Sequence, residues 1–276
     1  MLKSTCPIVF APIEFSDKKS MHKYMFIYLY IYIKYSLYIF AMSLIISIFV
    51  YNKNEKYNTF MENKIVLFSN IKGGVGKTTL CALFASYLAG KGVPVIAIDA
   101  DLQASLYRHR QREAKVDPEY NAPWSVELLN TSDETSLTKV LENVVKVPGI
   151  VLIDCPGNLN DKNLAMIYNK ADAAVIPMSY DADTVDATGL FVKAFKTISH
   201  AKLVFAPNRI NALEGKAEDL RQRSQTVEVL ELLGTVLPRV KQSVAVKRYT
   251  TLYPLDLHQR KAVEAAFDQL ITEINI

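Results

Sequence analysis

Cysteine is scarce in this 276-residue sequence, and Cys6, Cys81 and Cys155 are scattered and odd in number, with no Cys-x-x-Cys pair. This argues against a disulfide framework and against a cysteine-built zinc or iron–sulfur site, and it suits a reducing compartment. Net charge is missing from most of the chain. The formal +4 belongs to residues 1–60, where seven lysines meet only Glu14, Asp17 and Glu55; the remainder holds 25 basic and 25 acidic side chains. Bulk charge therefore gives no reason to expect a polyanion partner, and any nucleic-acid surface has to be a local patch. Repeats and low-complexity linkers are absent after residue 60. Half of the chain is hydrophobic, which is enough for a substantial core.

One short stretch dominates what is present: Asn70-Ile71-Lys72-Gly73-Gly74-Val75-Gly76-Lys77-Thr78-Thr79. A β-branched run (64–69) precedes it, and Leu80, Leu83, Phe84, Tyr87 and Leu88 follow at helical spacing. Strand, glycine-rich turn and helix together make a phosphate-binding loop. The glycines let backbone N–H groups converge on one centre, and the helix adds its positive end there. Lys77 then reaches the β- and γ-phosphates, and the Thr78 hydroxyl takes a place on Mg²⁺. The ordinary P-loop glycine is missing: Ile71 holds its position, and an extra lysine, Lys72, stands before the paired glycines.

From residue 61 onward, strand-like runs (64–69, 94–98, 125–129, 149–153, 172–177 and 202–206) alternate with helical patterns (78–90, 104–115, 136–146, 161–169, 184–199, 213–224 and 257–274). This alternation predicts a doubly wound α/β fold, a mostly parallel sheet with helices on both faces. Ligands in such folds bind beyond the carboxyl ends of the strands. Those ends carry the P-loop, Asp99-Ala100-Asp101-Leu102-Gln103, Asp154-Cys155-Pro156-Gly157, Pro177-Met178-Ser179 and Pro207-Asn208-Arg209. Asp154, after four apolar residues, fits the carboxylate that holds Mg²⁺ through water. Asp99 and Asp101 are both candidates for the same site.

The Lys-Gly-Gly-Val-Gly-Lys-Thr form resembles the deviant Walker A motif of the ParA/MinD family of ATPases, and the resemblance extends over nearly all of 61–276. It implies ATP and Mg²⁺ as cofactors, with residues 72–79 around the phosphates. It implies that Asp101 orients the attacking water, that Asp99 supports the magnesium shell, and that Asn208 contacts adenine. It also implies that Lys72 reaches across a homodimer to the partner's phosphates, so that ATP joins two copies. Leu102 departs from the family's frequent proline. The stretch from Leu237 through Leu255 looks like the tail of short, plasmid-type ParA partition ATPases. Such proteins bind DNA without sequence preference as the ATP dimer. They are released by a ParB-like or other centromere-binding activator.

Residues 221–261 are the place to look for a DNA surface. Arg221, Arg223, Arg239, Lys241, Lys247 and Arg248 lie there, with Arg260 and Lys261, against only three acids. The alternative is a MinD-like membrane-associated positioning ATPase. It is disfavoured because the C-terminal helical pattern is acidic where a membrane-surface helix is basic.

Residues 1–60 are set apart as an N-terminal extension. Residues 26–51 (FIYLYIYIKYSLYIFAMSLIISIFVY) exceed the roughly 20 apolar residues that a transmembrane helix needs. No small-residue cleavage site follows, which argues against a secretory signal. Met61 starts the nucleotide-binding unit three residues ahead of its first strand, so the preceding text also reads as translated upstream sequence. A membrane anchor and a mis-assigned start both stay open. The second makes the protein cytoplasmic and nucleoid-associated; the first makes it membrane-anchored.

Overall fold

The structure is a computed structural model that describes residues 62–131, 134–158, 162–211 and 217–276. The chain divides into two units, Met1–Thr59 and Phe60–Ile276. The apolar run at 26–51 lies outside the described residues. Among the described residues no helix is long and apolar enough to cross a membrane.

Seven strands form one sheet in the order β3-β2-β4-β1-β5-β6-β7, and every pairing is parallel. They are β1 (Lys64–Phe68), β2 (Val95–Asp99), β3 (Ser125–Leu128), β4 (Ile150–Asp154), β5 (Ala173–Met178), β6 (Lys202–Pro207) and β7 (Thr235–Val236). The inner strands β4 and β5 are buried at every residue, which explains their unbroken Val, Ile, Leu and Ala text: helices cover both faces. Edge strand β3 buries only Val126. The expected doubly wound fold is observed, and its sheet is parallel throughout.

The helices are α1 (Lys77–Gly90), α2 (Ser105–Val116), α3 (Glu134–Val144), α4 (Lys162–Lys170), α5 (Ala182–Phe195), α6 (Ala217–Glu231), α7 (Val244–Lys247) and α8 (Leu257–Glu273). One face of the sheet packs against α1 and α8, with Phe84 and Tyr87 edge-on to Phe267. The other face packs against α3, α4 and α5 around Tyr168, Phe191 and Phe195. The stripe read on α1 is a fully buried helix instead: all nine residues from Leu80 to Leu88 are buried. Its small side chains (Cys81, Ala82, Ala85, Ser86) let neighbours close over the face that periodicity assigns to solvent.

Two helix ranges shift by more than two residues. α5 spans 182–195 where 184–199 was expected, because Asp181 caps its start by accepting from Thr184 N–H (3.0 Å). α6 continues to Glu231, seven residues past the expected end. β7 and α7 are two and four residues long, too short for any periodicity to show.

Register sets the site. Phe68 and Asp99 both stand opposite Asp154 in neighbouring strands. The start of the phosphate loop and two of the predicted carboxylates therefore leave the sheet side by side.

Candidate functional site

The phosphate loop is tied down on three sides. Asn70 is wholly buried, and its Nδ2 donates to the Pro177 carbonyl (2.9 Å) and to Thr188 Oγ1 (3.0 Å) on α5. Its Oδ1 accepts from the Lys72 backbone N–H (3.2 Å). Gly74 and Gly76 have φ of 76° and 98°, in the left-handed region, and Gly76 occupies the position just before α1. A Cβ on Gly76 would lie 2.3 Å from Asn208 Nδ2, so a larger residue would displace that side chain as well as strain the backbone.

Lys77 Nζ donates to the Lys72 carbonyl (3.3 Å) across the loop. Burial lowers its pKa, and Asp154 and Asp101 work in the opposite direction. The site thus holds a half-desolvated ammonium beside carboxylates and converging backbone amides, an arrangement suited to a polyphosphate. A cleft of about 660 Å³ opens over it, lined by Ile71, Gly73, Gly74 and residues 76–79 of the loop, by Asp101 to Gln103, and by Pro156 and Gly157.

Asp154 is the most perturbed acid. It is almost fully buried, and neither carboxylate oxygen has a hydrogen-bond partner among the described residues. Burial pushes its pKa up to about 8, although the neighbouring Thr78 hydroxyl and Lys77 ammonium pull it down. Two orphaned carboxylate oxygens next to a hydroxyl fit a hard divalent cation. Among the described residues no group of three or more His, Cys, Asp or Glu side chains is placed to hold a metal. Mg²⁺ bound through Asp154 and Thr78 would therefore draw its remaining ligands from phosphate and water.

The predicted pair Asp99 and Asp101 separates into two jobs. Asp99 is buried, with Oδ1 accepting from Asp101 N–H (3.1 Å) and Oδ2 from Tyr107 N–H (2.9 Å) on α2. Both oxygens are engaged in holding the loop. Asp101 borders the cleft, and its Oδ1 is fixed by Gln103 N–H (2.9 Å).

Lys72 is half-exposed. Its Nζ lies 3.5 Å from Asp183 Oδ2 at the start of α5, and Asp183 is 85% exposed. So exposed a pair holds the lysine only weakly, by about 0–1 kcal/mol. Asn208 is buried, and its Nδ2 donates to the Val75 carbonyl (2.8 Å). In this structure it braces the phosphate loop; its Oδ1 is buried without a partner.

Four of the six DNA candidates line two different clefts. Lys241 and Lys247 line a second cleft of about 220 Å³ beside Gly74, Gly76 and Asn208. Arg223 and Arg239 line a separate groove with Tyr180, and the Arg223 guanidinium lies over the Tyr180 ring at 4.9 Å. Arg221 and Arg248 are exposed elsewhere on α6 and after α7.

Thr131, Ser105 and Asn158 also line the cleft, outside the strand ends and motifs that the sequence singles out. Thr131 follows β3, an edge strand whose end carries no acid, glycine-rich or Pro-Asn signal. Gly157, in the strand end read with Asp154, lines the cleft too, and a Cβ there would stand 3.4 Å from Lys77 Nζ.

Residues 66–251 match the model of the CobQ/CobB/MinD/ParA nucleotide-binding domain. The chain belongs to this family. Protein ParA of Rhizobium radiobacter is 28% identical over 124 residues, 45% of this chain and 51% of that protein. The chromosome-partitioning ATPase Soj of Treponema pallidum is 26% identical over 164 residues, 49% of this chain and 64% of that protein. The matched region thus spans about half to two-thirds of these curated relatives. A plasmid partition protein from Borrelia burgdorferi bound to AMPPNP superposes with TM-score 0.59 at 19% identity, over 77% of this chain and all of that one. At that identity the likeness speaks for the fold. The ParA/MinD membership implied by the deviant Walker A motif is thereby established.

Proposed function

We propose that this protein is a DNA-partition ATPase. Two copies join over bound ATP, the dimer binds DNA without sequence preference, and hydrolysis triggered by a ParB-like or other centromere-binding activator releases it. The observation that carries this reading is Lys72. Lys77 already fills the phosphate-binding lysine's place, so Lys72 has no task within its own loop. Among the described residues its side chain is tethered by an exposed ion pair alone.

The chain's own groups divide the chemistry among them. The loop amides and Lys77 bind and orient the phosphates. Thr78 and Asp154 would hold Mg²⁺, which would supply charge neutralisation at the phosphoryl oxygens. Asp101, fixed by Gln103 N–H, orients the attacking water, and Asp99 holds that loop in place. Among the described residues lining the phosphate cleft there is no arginine, which fits slow unassisted turnover. Lys72 from the second copy would add a cation at each nucleotide only while triphosphate is bound.

The groove of Arg223 and Arg239 is the stronger DNA surface, because Lys241 and Lys247 border the nucleotide instead. The membrane-surface alternative loses ground on packing: α8 buries Val263, Ala266, Phe267 and Leu270 in the core, leaving no free apolar face for lipid. The test is DNA co-sedimentation of Asp101→Ala. ATP should retain it on DNA, rising salt should release it, and Arg239→Ala should remove most retention while ADP affinity stays within about twofold. Equal DNA binding with ATP, with ADP and without nucleotide would overturn the reading.

A further inference from the structure

We infer that Arg209 is a positioning residue for nucleotide binding, one that shapes the phosphate loop from behind. Arg209 has φ of 58°, a left-handed conformation that residues with a Cβ rarely adopt. Such outliers persist where the surroundings hold them, and they concentrate at functional sites. Its side chain crosses to the phosphate loop, and Nη1 donates to the Gly74 carbonyl. The preceding residue does the same one step further on, with Asn208 Nδ2 donating to the Val75 carbonyl at 2.8 Å. Two consecutive side chains from the end of β6 thus take two consecutive carbonyls of the loop.

The consequence follows from peptide geometry. A planar trans peptide points its C=O and its N–H to opposite sides. Holding the Gly74 carbonyl outward aims the Val75 N–H inward; holding the Val75 carbonyl aims the Gly76 N–H inward. Inward-facing amides are what a phosphate needs. The support behind them is firm: Asn208 N–H donates to the Met178 carbonyl (2.7 Å), Ile210 N–H to Val240 (3.2 Å), and Gln242 N–H to Ile210 (3.0 Å). A long charged side chain reaching back over the loop explains why an arginine stands where Gly or Asn would fit the backbone with less strain.

The inference rests on nucleotide binding alone and is independent of DNA or of dimerisation. It is tested on the full chain with Arg209→Gly and Arg209→Asn, both tolerant of the left-handed backbone and both too short to reach Gly74. Affinity for ADP is measured by calorimetry, the nucleotide-free melting temperature by thermal unfolding, and the Val75 and Gly76 amides by hydrogen exchange. The expected result is an affinity loss on the order of tenfold, the size of one charge-assisted hydrogen bond. The melting temperature should be equal or higher, and exchange at the two amides faster, with β1 unchanged. Arg209→Lys should recover part of the affinity. ADP affinity within twofold of the parent in either short variant overturns the proposal. So does unfolding of both, which would make Arg209 a residue of the fold.

Discussion

In Asp154, function and stability oppose one another. Its folded pKa of about 8 stands above the ordinary 3.8, chiefly because the carboxyl is buried. The folded protein therefore binds that proton more tightly than the unfolded chain does. The stabilisation is complete below about pH 4 and drains away as pH rises toward about 8. Thermal melts of nucleotide-free protein should show the melting temperature falling across that window. Asp154→Asn, which cannot ionise, should flatten the slope and melt higher than the parent at about pH 8, while losing the extra stabilisation that Mg²⁺ adds to nucleotide. An unchanged slope in the variant would mean that Asp154 is not the group responsible. The acids and lysines of this site were legible in the sequence because each follows an apolar run or sits in a glycine-spaced motif. Their hydrogen bonds were not. Nothing in Asp-x-Asp says that the first carboxylate spends both oxygens on backbone amides, and nothing in Pro-Asn-Arg says that both side chains turn back onto the loop.

At the scale of elements, α2 joins the hydrolytic loop to the C-terminal segment. Its start is held by Asp99 through Tyr107 N–H. In its middle, Arg110 is buried and donates to Thr251 Oγ1 (3.0 Å), to the Thr251 carbonyl and to the Trp124 carbonyl (2.8 Å), lying 4.5 Å from the Trp124 ring centre. Glu113 on the next turn accepts from Thr251 N–H (2.7 Å). Burial lowers the Arg110 pKa, so the contacts do not come from a comfortable charge but from three well-placed acceptors. Arg110→Met keeps the bulk and leaves two buried carbonyls without donors. It should cost about 3 kcal/mol of stability in urea unfolding; a loss under about 1 kcal/mol would contradict this account. Arg108 and Arg112 of this helix are exposed, yet Arg110 between them points inward. Charge patterning cannot reveal that, because its partners, the Trp124 carbonyl and Thr251, lie 14 and 141 residues away in other parts of the fold. Helix and strand identity were legible where elements are long. β7 and α7 were not, and α1 hid its full burial behind small residues.

At the scale of the whole molecule, an all-parallel sheet gathers every strand's carboxyl end on one edge. Chemistry read from scattered motifs therefore lands in one cleft. The same topology divides the basic C-terminal residues: Lys241 and Lys247 fall beside the phosphate loop, Arg223 and Arg239 around Tyr180. Composition could find the cluster but not the partition, since residues two apart along this segment line different clefts. What the family membership and the site geometry leave to experiment is whether two copies share the nucleotide. Sedimentation of Asp101→Ala and of Lys72→Ala Asp101→Ala, each with saturating ATP and Mg²⁺, tests it most directly. Asp101→Ala should run as a dimer with ATP and as a monomer with ADP, and adding Lys72→Ala should return it to the monomer. A protein that stays monomeric with ATP while hydrolysis is blocked, or a dimer indifferent to Lys72, would contradict the account.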